Sequence, residues 1–348
     1  FWTTAISTQR GTQDEIEVEN GAQNRRFDIK ASDYEDNRHF FLGQYFRNKY
    51  EQAFTIPNLV SEVQVTRVEV YVLNLTQRTE DLRNVAAFLD LGETDPYKSQ
   101  FGGGGDVAKN SANTLYSTIS RDARARDLDE IDNLLVGELN LVGSQDFEVK
   151  GGMRKLELGN DFNFHPQLGY ISLNSRLQNN EVLAVSYEYS VNGNNYKVGE
   201  LSEDYQNFNQ EDLIILKLLR PSSINTTLPT WNLMMKNVYS LGTSQVNQDN
   251  FKMRIIYKDD RTGVDNPSLV DDCPIKDVPL IRVMEMDKIN QNGDRQPDAN
   301  FDFVDKGSGS GDNSFYPVTI DSRRGRIYFP VLEPFGEHLK KNLGGNPT

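Results

Sequence analysis

The 348 residues carry 37 Lys and Arg against 51 Asp and Glu, a net charge of −14, so the mean field repels phosphate backbones and anionic lipid heads and counts against nucleic acid as a partner. With 37% hydrophobic, 25% charged and 10% aromatic residues, the composition belongs to folded globular chains and not to the disordered class. Cys273 is the only cysteine, which excludes an intrachain disulfide and a thiolate metal cluster.

No stretch reaches the roughly 18 apolar residues of a membrane-spanning helix, and no basic, apolar, small-residue leader opens the chain. Phe1-Trp2-Thr3-Thr4, without an initiator Met, reads as the start of a piece cut from something longer. Residues 1–8 alternate loosely, as a sheet-edge strand or the end of a barrel strand does. Ser32 and Asp33 are placed to cap a helix over about 33–54 whose apolar face holds Phe41, Tyr45, Phe46 and Tyr50, ending before Pro57. Over 66–72, Val68, Val70 and Val72 share one face and Arg67, Glu69 and Tyr71 the other, the pattern of a half-buried strand. Val63 and Val65 have the opposite parity, which predicts a bulge near Arg67. A second strand over 84–91 is expected to pair back across a turn at 79–83.

Gly102 to Gly105 predict a flexible break, and Leu128, Ile131 and Leu135 a helix over 127–136 stopped by Gly137. Strands follow at 170–173 and 182–189, the latter turning at Asn192-Gly193, a pair that tolerates the positive φ of a tight hairpin, into a return strand at 196–198. The apolar run 213–219 reads as a buried strand. Pro229 opens a helix through Met234, Met235, Val238 and Leu241, closed by Gly242. Strands at 251–257, 280–286 and 326–331 complete the series, with a glycine-serine loop at 307–311. The fold class expected is α+β, predominantly antiparallel sheet with two or three short helices. Two lobes are expected: an N-terminal α+β lobe over 1–145, with strands at about 63–91, and a mainly β lobe over 146–348.

The motifs for chemistry mostly fail. The four glycines lack the Gly-Lys-Ser/Thr of a phosphate loop and place Val107 where a dinucleotide fingerprint needs its third glycine. The serines at 308 and 310 miss the centre of a nucleophile elbow. His39, His165 and His338 stand far apart, outside any metal-protease motif. The sharpest candidate is a calcium loop: Asn290, Asn292, Asp294 and Asp298 supply oxygens at positions one, three, five and nine. Against it, Arg295 holds the place of the turn glycine and Phe301 that of the bidentate carboxylate; an ordinary Asn/Gly turn is the alternative.

Seven stretches, in order, resemble one family: FFLGQYFRNKY (40–50), TRVEVYV (66–72), NVAAFLDLGE (84–93), LGYISLN (168–174), EVLAV (181–185), LPTWNLMMKNVYSL (228–241) and GRIYFPVLEPFG (325–336). They are similar to the SprA/Sov family of the type IX secretion and gliding-motility system. The resemblance implies a small, non-catalytic part of a very large outer-membrane β-barrel that passes folded cargo to the cell surface. Its partners would be the remainder of that barrel, other type IX secretion components and secreted cargo. No catalytic residue and no cofactor carries over. The strands hold too many charges for a lipid-facing band, and bacterial barrels place long insertions mainly outside, so a surface-side insertion capping or gating the pore is expected, a periplasmic or pore-interior position being the alternative. Two other classes stand beside it: a calcium-dependent adhesion or carbohydrate-binding β module, and a hydrolase built from scattered carboxylates and histidines.

Overall fold

The computed structural model describes residues 16–19, 22–25, 28–73, 82–259, 262–270, 272–305 and 318–344. The strands are β1 (Ile16–Glu19), β2 (Ala22–Arg25), β3 (His39–Phe41), β4 (Val63–Leu73), β5 (Leu82–Phe88), β6 (Phe147–Lys155), β7 (Phe162–His165), β8 (Tyr170–Leu173), β9 (Leu183–Val191), β10 (Asn194–Val198), β11 (Ile214–Arg220), β12 (Val238–Ser240), β13 (Tyr257–Lys258), β14 (Asp265–Asn266), β15 (Ile320–Asp321) and β16 (Arg326–Tyr328). Short α-helices stand between them, α1 (Gln44–Ala53), α2 (Leu115–Ile119), α3 (Pro229–Leu233) and α4 (Leu280–Val283), and α5 (Leu339–Asn342) follows the last strand. Among the described residues every pairing between these strands is antiparallel except β5 with β11. The fold is α+β.

The alternation of valines in β4 sets the central architecture. β9 pairs with β4 along its whole length and, on its other edge, with β11 and β10. β11 runs parallel to β5, β5 pairs with β6, and β6 returns to β4. Strands β4, β9, β11, β5 and β6 thus close on themselves as a small barrel, which removes their free edges. Tyr71, Val85, Ala87, Met153, Ala184, Ile214, Leu216 and Leu218, drawn from all five strands, fill its interior. The register of β4 against β9 shifts between Val65 and Arg67, the bulge that reconciles the two valine parities.

The opposite faces of the same strands meet the larger core. Phe46 on α1 packs on Tyr187 and Tyr189, with ring centroids 5.5 and 5.2 Å away. Leu42 N–H donates to Gly169 O at 3.0 Å, clamping α1 to the sheet ordered β3-β8-β7. Gly169 has φ +62°, and a Cβ there would lie 2.0 Å from the Phe46 ring, so both the backbone and the packing require glycine. A second core gathers Tyr239, Leu241, Met284, Met286, Ile320, Ile327 and Phe329 around the sheet β12-β16-β15. The buried residues of this core come from β12 onward and mark a second lobe, whose Val238 and Tyr328 also pack into the first core. The 145/146 boundary runs through the barrel, because β5 and β6 lie on either side of it and pair with each other.

Local expectations hold where one element decides them. Asn192 (φ 50°) and Gly193 (φ 78°) make the β9–β10 turn, and every residue of β11 is buried. Others are corrected. Ser32 and Asp33 form a turn with Lys30; the helix starts only after Gly43, since Phe40 and Phe41 pair with Ile171 and Tyr170 in β3. β4 and β5 are not a hairpin, because β6 inserts between them. Residues 133–138 form a π-helical turn that contains Gly137, while Leu128 is exposed. The helix from Pro229 stops at Leu233 and Val238 enters β12. Leu280 to Val283, expected as strand, wind one helical turn after Pro279. The strand expected at 1–8 and the loop at 307–311 lie outside the described residues.

Candidate functional site

Residues 287–302 close into a loop whose oxygens serve its own backbone. Asn290 Oδ1 accepts the N–H groups of Asn292 (2.9 Å) and Asp294 (3.0 Å), and Asn290 Nδ2 donates to Asp294 Oδ2 at 3.2 Å. Asp298 Oδ1 accepts the Asn300 N–H at 3.0 Å. The structure thus brings Asn290 and Asp294 together, while among the described residues the side chains of Asn292 and Asp298 make no hydrogen bond to either. A hard cation needs carboxylate and carbonyl oxygens turned on one point. Here the Asn290 oxygen is engaged by two amides, its NH2 group faces Asp294, and among the described residues no three His, Cys, Asp or Glu are placed to hold a metal ion. This arrangement is an Asx turn.

The side chains that hold the loop were not singled out from sequence. Asp287, with no exposure, accepts Asp298 N–H (2.8 Å) and Ala299 N–H (3.1 Å) at Oδ1, and Arg282 Nε donates to Oδ2 at 3.0 Å. Buried Asp302 accepts Lys288 N–H (2.6 Å) and Ile289 N–H (3.1 Å). Burial pushes the Asp302 carboxyl up to about 6; the amides of Lys288 and Ile289 oppose this and the charges of Asp287 and Asp298 add to it. An aspartate flanked by Phe301 and Phe303 is the signal that marks this position in the sequence.

A second polar cluster closes one end of the barrel. Glu69 receives Lys155 Nζ at 2.9 Å, Ser202 Oγ at 2.7 Å, Tyr71 Oη at 3.2 Å and Arg67. Burial would raise the Glu69 carboxyl, but the Lys155 and Ser202 bonds, then the Lys155 charge and Arg67, outweigh it and bring the group down to about 2.

The histidines do not converge. His39, wholly buried, lies between Glu35 (Nε2 to Oε2, 2.9 Å) and Ser172 (Nδ1 to Oγ, 2.8 Å). Burial pushes the imidazole down, so the neutral ring donates from Nε2 to Glu35 and accepts at Nδ1 from Ser172. Serine, histidine and glutamate stand in the order of a hydrolytic triad, but Glu35 is also bound by Arg38 (3.0 Å) and by Arg326 of β16 (2.6 Å). The cluster ties β3 and β8 to the second lobe. His338 Nε2 meets Val283 O at 2.7 Å, and His165 Nδ1 accepts Leu168 N–H at 3.2 Å.

A cavity of about 20 Å³, room for about one water molecule, lies beside Gln44, Asp90, Glu93, Lys217 and Thr230. Lys217, 1% exposed, points toward it from β11, paired with Glu93 Oε1 at 2.6 Å and bonded to Leu89 O. Glu93 Oε1 also accepts Gln44 N–H at 3.2 Å. The ion pair thus locks the barrel wall to the start of α1, in a space that fits no organic substrate. Compared with known proteins, no family model and no curated protein matches the chain.

Proposed function

We propose that this chain is a non-catalytic structural and interaction segment of an outer-membrane translocon of type IX secretion and gliding motility, a surface-side insertion that caps or gates the pore. One observation carries the reading: the stretches that resemble the SprA/Sov family, scattered over the sequence, meet in space. Phe40 bridges to Met234, Phe41 pairs with Tyr170, Gln44 N–H bonds Glu93, and Tyr50 Oη donates to Phe329 O at 2.9 Å. Val68, Val70 and Val72 of TRVEVYV pair with β9, which contains most of EVLAV. The likeness therefore falls on the residues that build the joint between the barrel and the second lobe. Ionisable groups near that joint are consumed by internal pairs, Lys217 with Glu93 and Arg326 with Glu35. The outward surface is left for contact with the surrounding barrel, other secretion components and cargo.

The test is replacement of residues 28–344 by a short linker in the full-length protein in its own cells. The reading expects the remaining barrel to reach the outer membrane while cargo release is blocked or unregulated. Unchanged secretion and gliding would sink it.

A further inference from the structure

Residues 251–256 run along the second lobe with burial alternating at every residue. Phe251, Met253 and Ile255 pack on the second core, and Lys252, Arg254 and Ile256 face solvent, the period of an extended strand. Among the described residues no backbone N–H or C=O of Lys252, Met253, Arg254, Ile255 or Ile256 has a backbone partner. Pairing starts only at β13, where Tyr257 faces Asn266 and Lys258 faces Asp265. The run thus has the burial pattern of a strand, but among the described residues only β13 at its end is laddered. Unpaired, solvent-open strand edges are normally covered, charged or used.

We propose that residues 252–256 form a docking edge for an extended segment of another protein, one that alternates acidic with apolar residues and adds to this lobe as a strand. Two features select that occupant. A run of five amides with no backbone partner among the described residues alternates donors and acceptors at the spacing of a strand, which an extended peptide matches and a helix, a lipid surface or a phosphate backbone does not. Lys252, Arg254 and Lys258 share one face of the run, all exposed, and no ion pair engages them among the described residues. In a chain of net charge −14 this basic face is complementary to acidic side chains on the outer face of the added strand. The apolar alternates of that strand would then extend the row of Phe251, Met253 and Ile255. Exposed Ile256, Tyr257 and Val264 continue the apolar surface beside it.

The experiment uses the full chain and three labelled seven-residue peptides: one alternating Glu or Asp with Val, the same peptide with a central proline, and one alternating Lys with Val. Fluorescence anisotropy is expected to show the acidic peptide binding about tenfold or more tightly than either control. Amide hydrogen exchange at 252–256, fast in the free chain, is expected to slow about tenfold on binding. The double substitution K252E/R254E, on exposed side chains and with thermal unfolding as the folding control, is expected to reverse the preference between the acidic and basic peptides. Equal affinity for the proline-interrupted peptide, slow exchange at 252–256 in the free chain, or an unreversed preference overturns the proposal. So does concentration-dependent dimerisation that K252E/R254E abolishes, which would give the edge to a second copy of this chain.

Discussion

Tyr50 on α1 donates its phenol hydrogen to the backbone carbonyl of Phe329 at 2.9 Å, across 279 residues of sequence. Asn237 Nδ2 donates to the same carbonyl at 2.8 Å and to Tyr50 Oη at 3.0 Å. All three groups are buried, and together they fasten the first core to the second.

Tyr50→Phe removes the donor and leaves Asn237 and the Phe329 carbonyl one partner short. The expected loss is about 1–2 kcal/mol, read as a lowered urea midpoint, whereas Tyr97→Phe at an exposed ring leaves the midpoint in place. Equal midpoints for Y50F and the parent would show that the joint is not held there.

Glu69 carries an acid dependence. Its carboxyl falls from 4.5 to about 2 on folding, so its contribution is complete above about 4.5 and is lost as pH drops through about 2. Arg67 and Lys155 are each about a third exposed, at 37% and 33%, and solvent screening trims the contribution to roughly 2 kcal/mol. Denaturation of the parent and Glu69→Gln across pH 2–7 should show curves that converge toward the acid end; a constant gap would contradict the assignment.

Asp302 has the opposite sign. Its carboxyl rises from 3.8 to about 6, so the stability it contributes is complete below about 3.8 and is lost as pH rises through about 6. Carbon-detected NMR of the side-chain carboxyl should give a midpoint near 6. A midpoint in the ordinary aspartate range would mean that the loop is open to water.

The Asx-turn geometry of Asn290 predicts indifference to calcium. Thermal unfolding in millimolar calcium and in chelator should agree within about 1 °C, since an ion that binds the native loop would raise the midpoint by mass action. A rise of several degrees in calcium would restore the ion-binding reading of Asn290, Asn292, Asp294 and Asp298.

What was legible in the sequence was local. The valine parity of β4 and its bulge, the Asn192-Gly193 turn and the apolar run of β11 each follow from a few neighbouring residues. Strand order did not, because β6 carries Gly151-Gly152 and lacks a clean alternation, so nothing near it announces that it lies between β4 and β5. The run from Leu280 to Val283 is apolar but for Arg282, and a short run of that kind has no period to separate helix from strand. The calcium cadence at 290–298 was read from oxygen-bearing residue types alone. Which atoms those oxygens face is set by Asp287 and Asp302, which tie the two ends of the loop through hydrogen bonds spanning 11 and 14 residues of sequence. Lys217, in the otherwise apolar run of β11, and Glu93, between Asp90 and Asp95, were missed for the same reason, since they meet only in the folded chain.

Placement at the cell surface is most directly tested with trypsin on intact cells, followed by mapping of the cut sites. Arg295 stands exposed on the 287–302 loop, so cleavage after it in unbroken cells is the predicted result. Resistance in intact cells, with cleavage at the same bond once the envelope is disrupted, would place the segment inside the envelope and contradict the account.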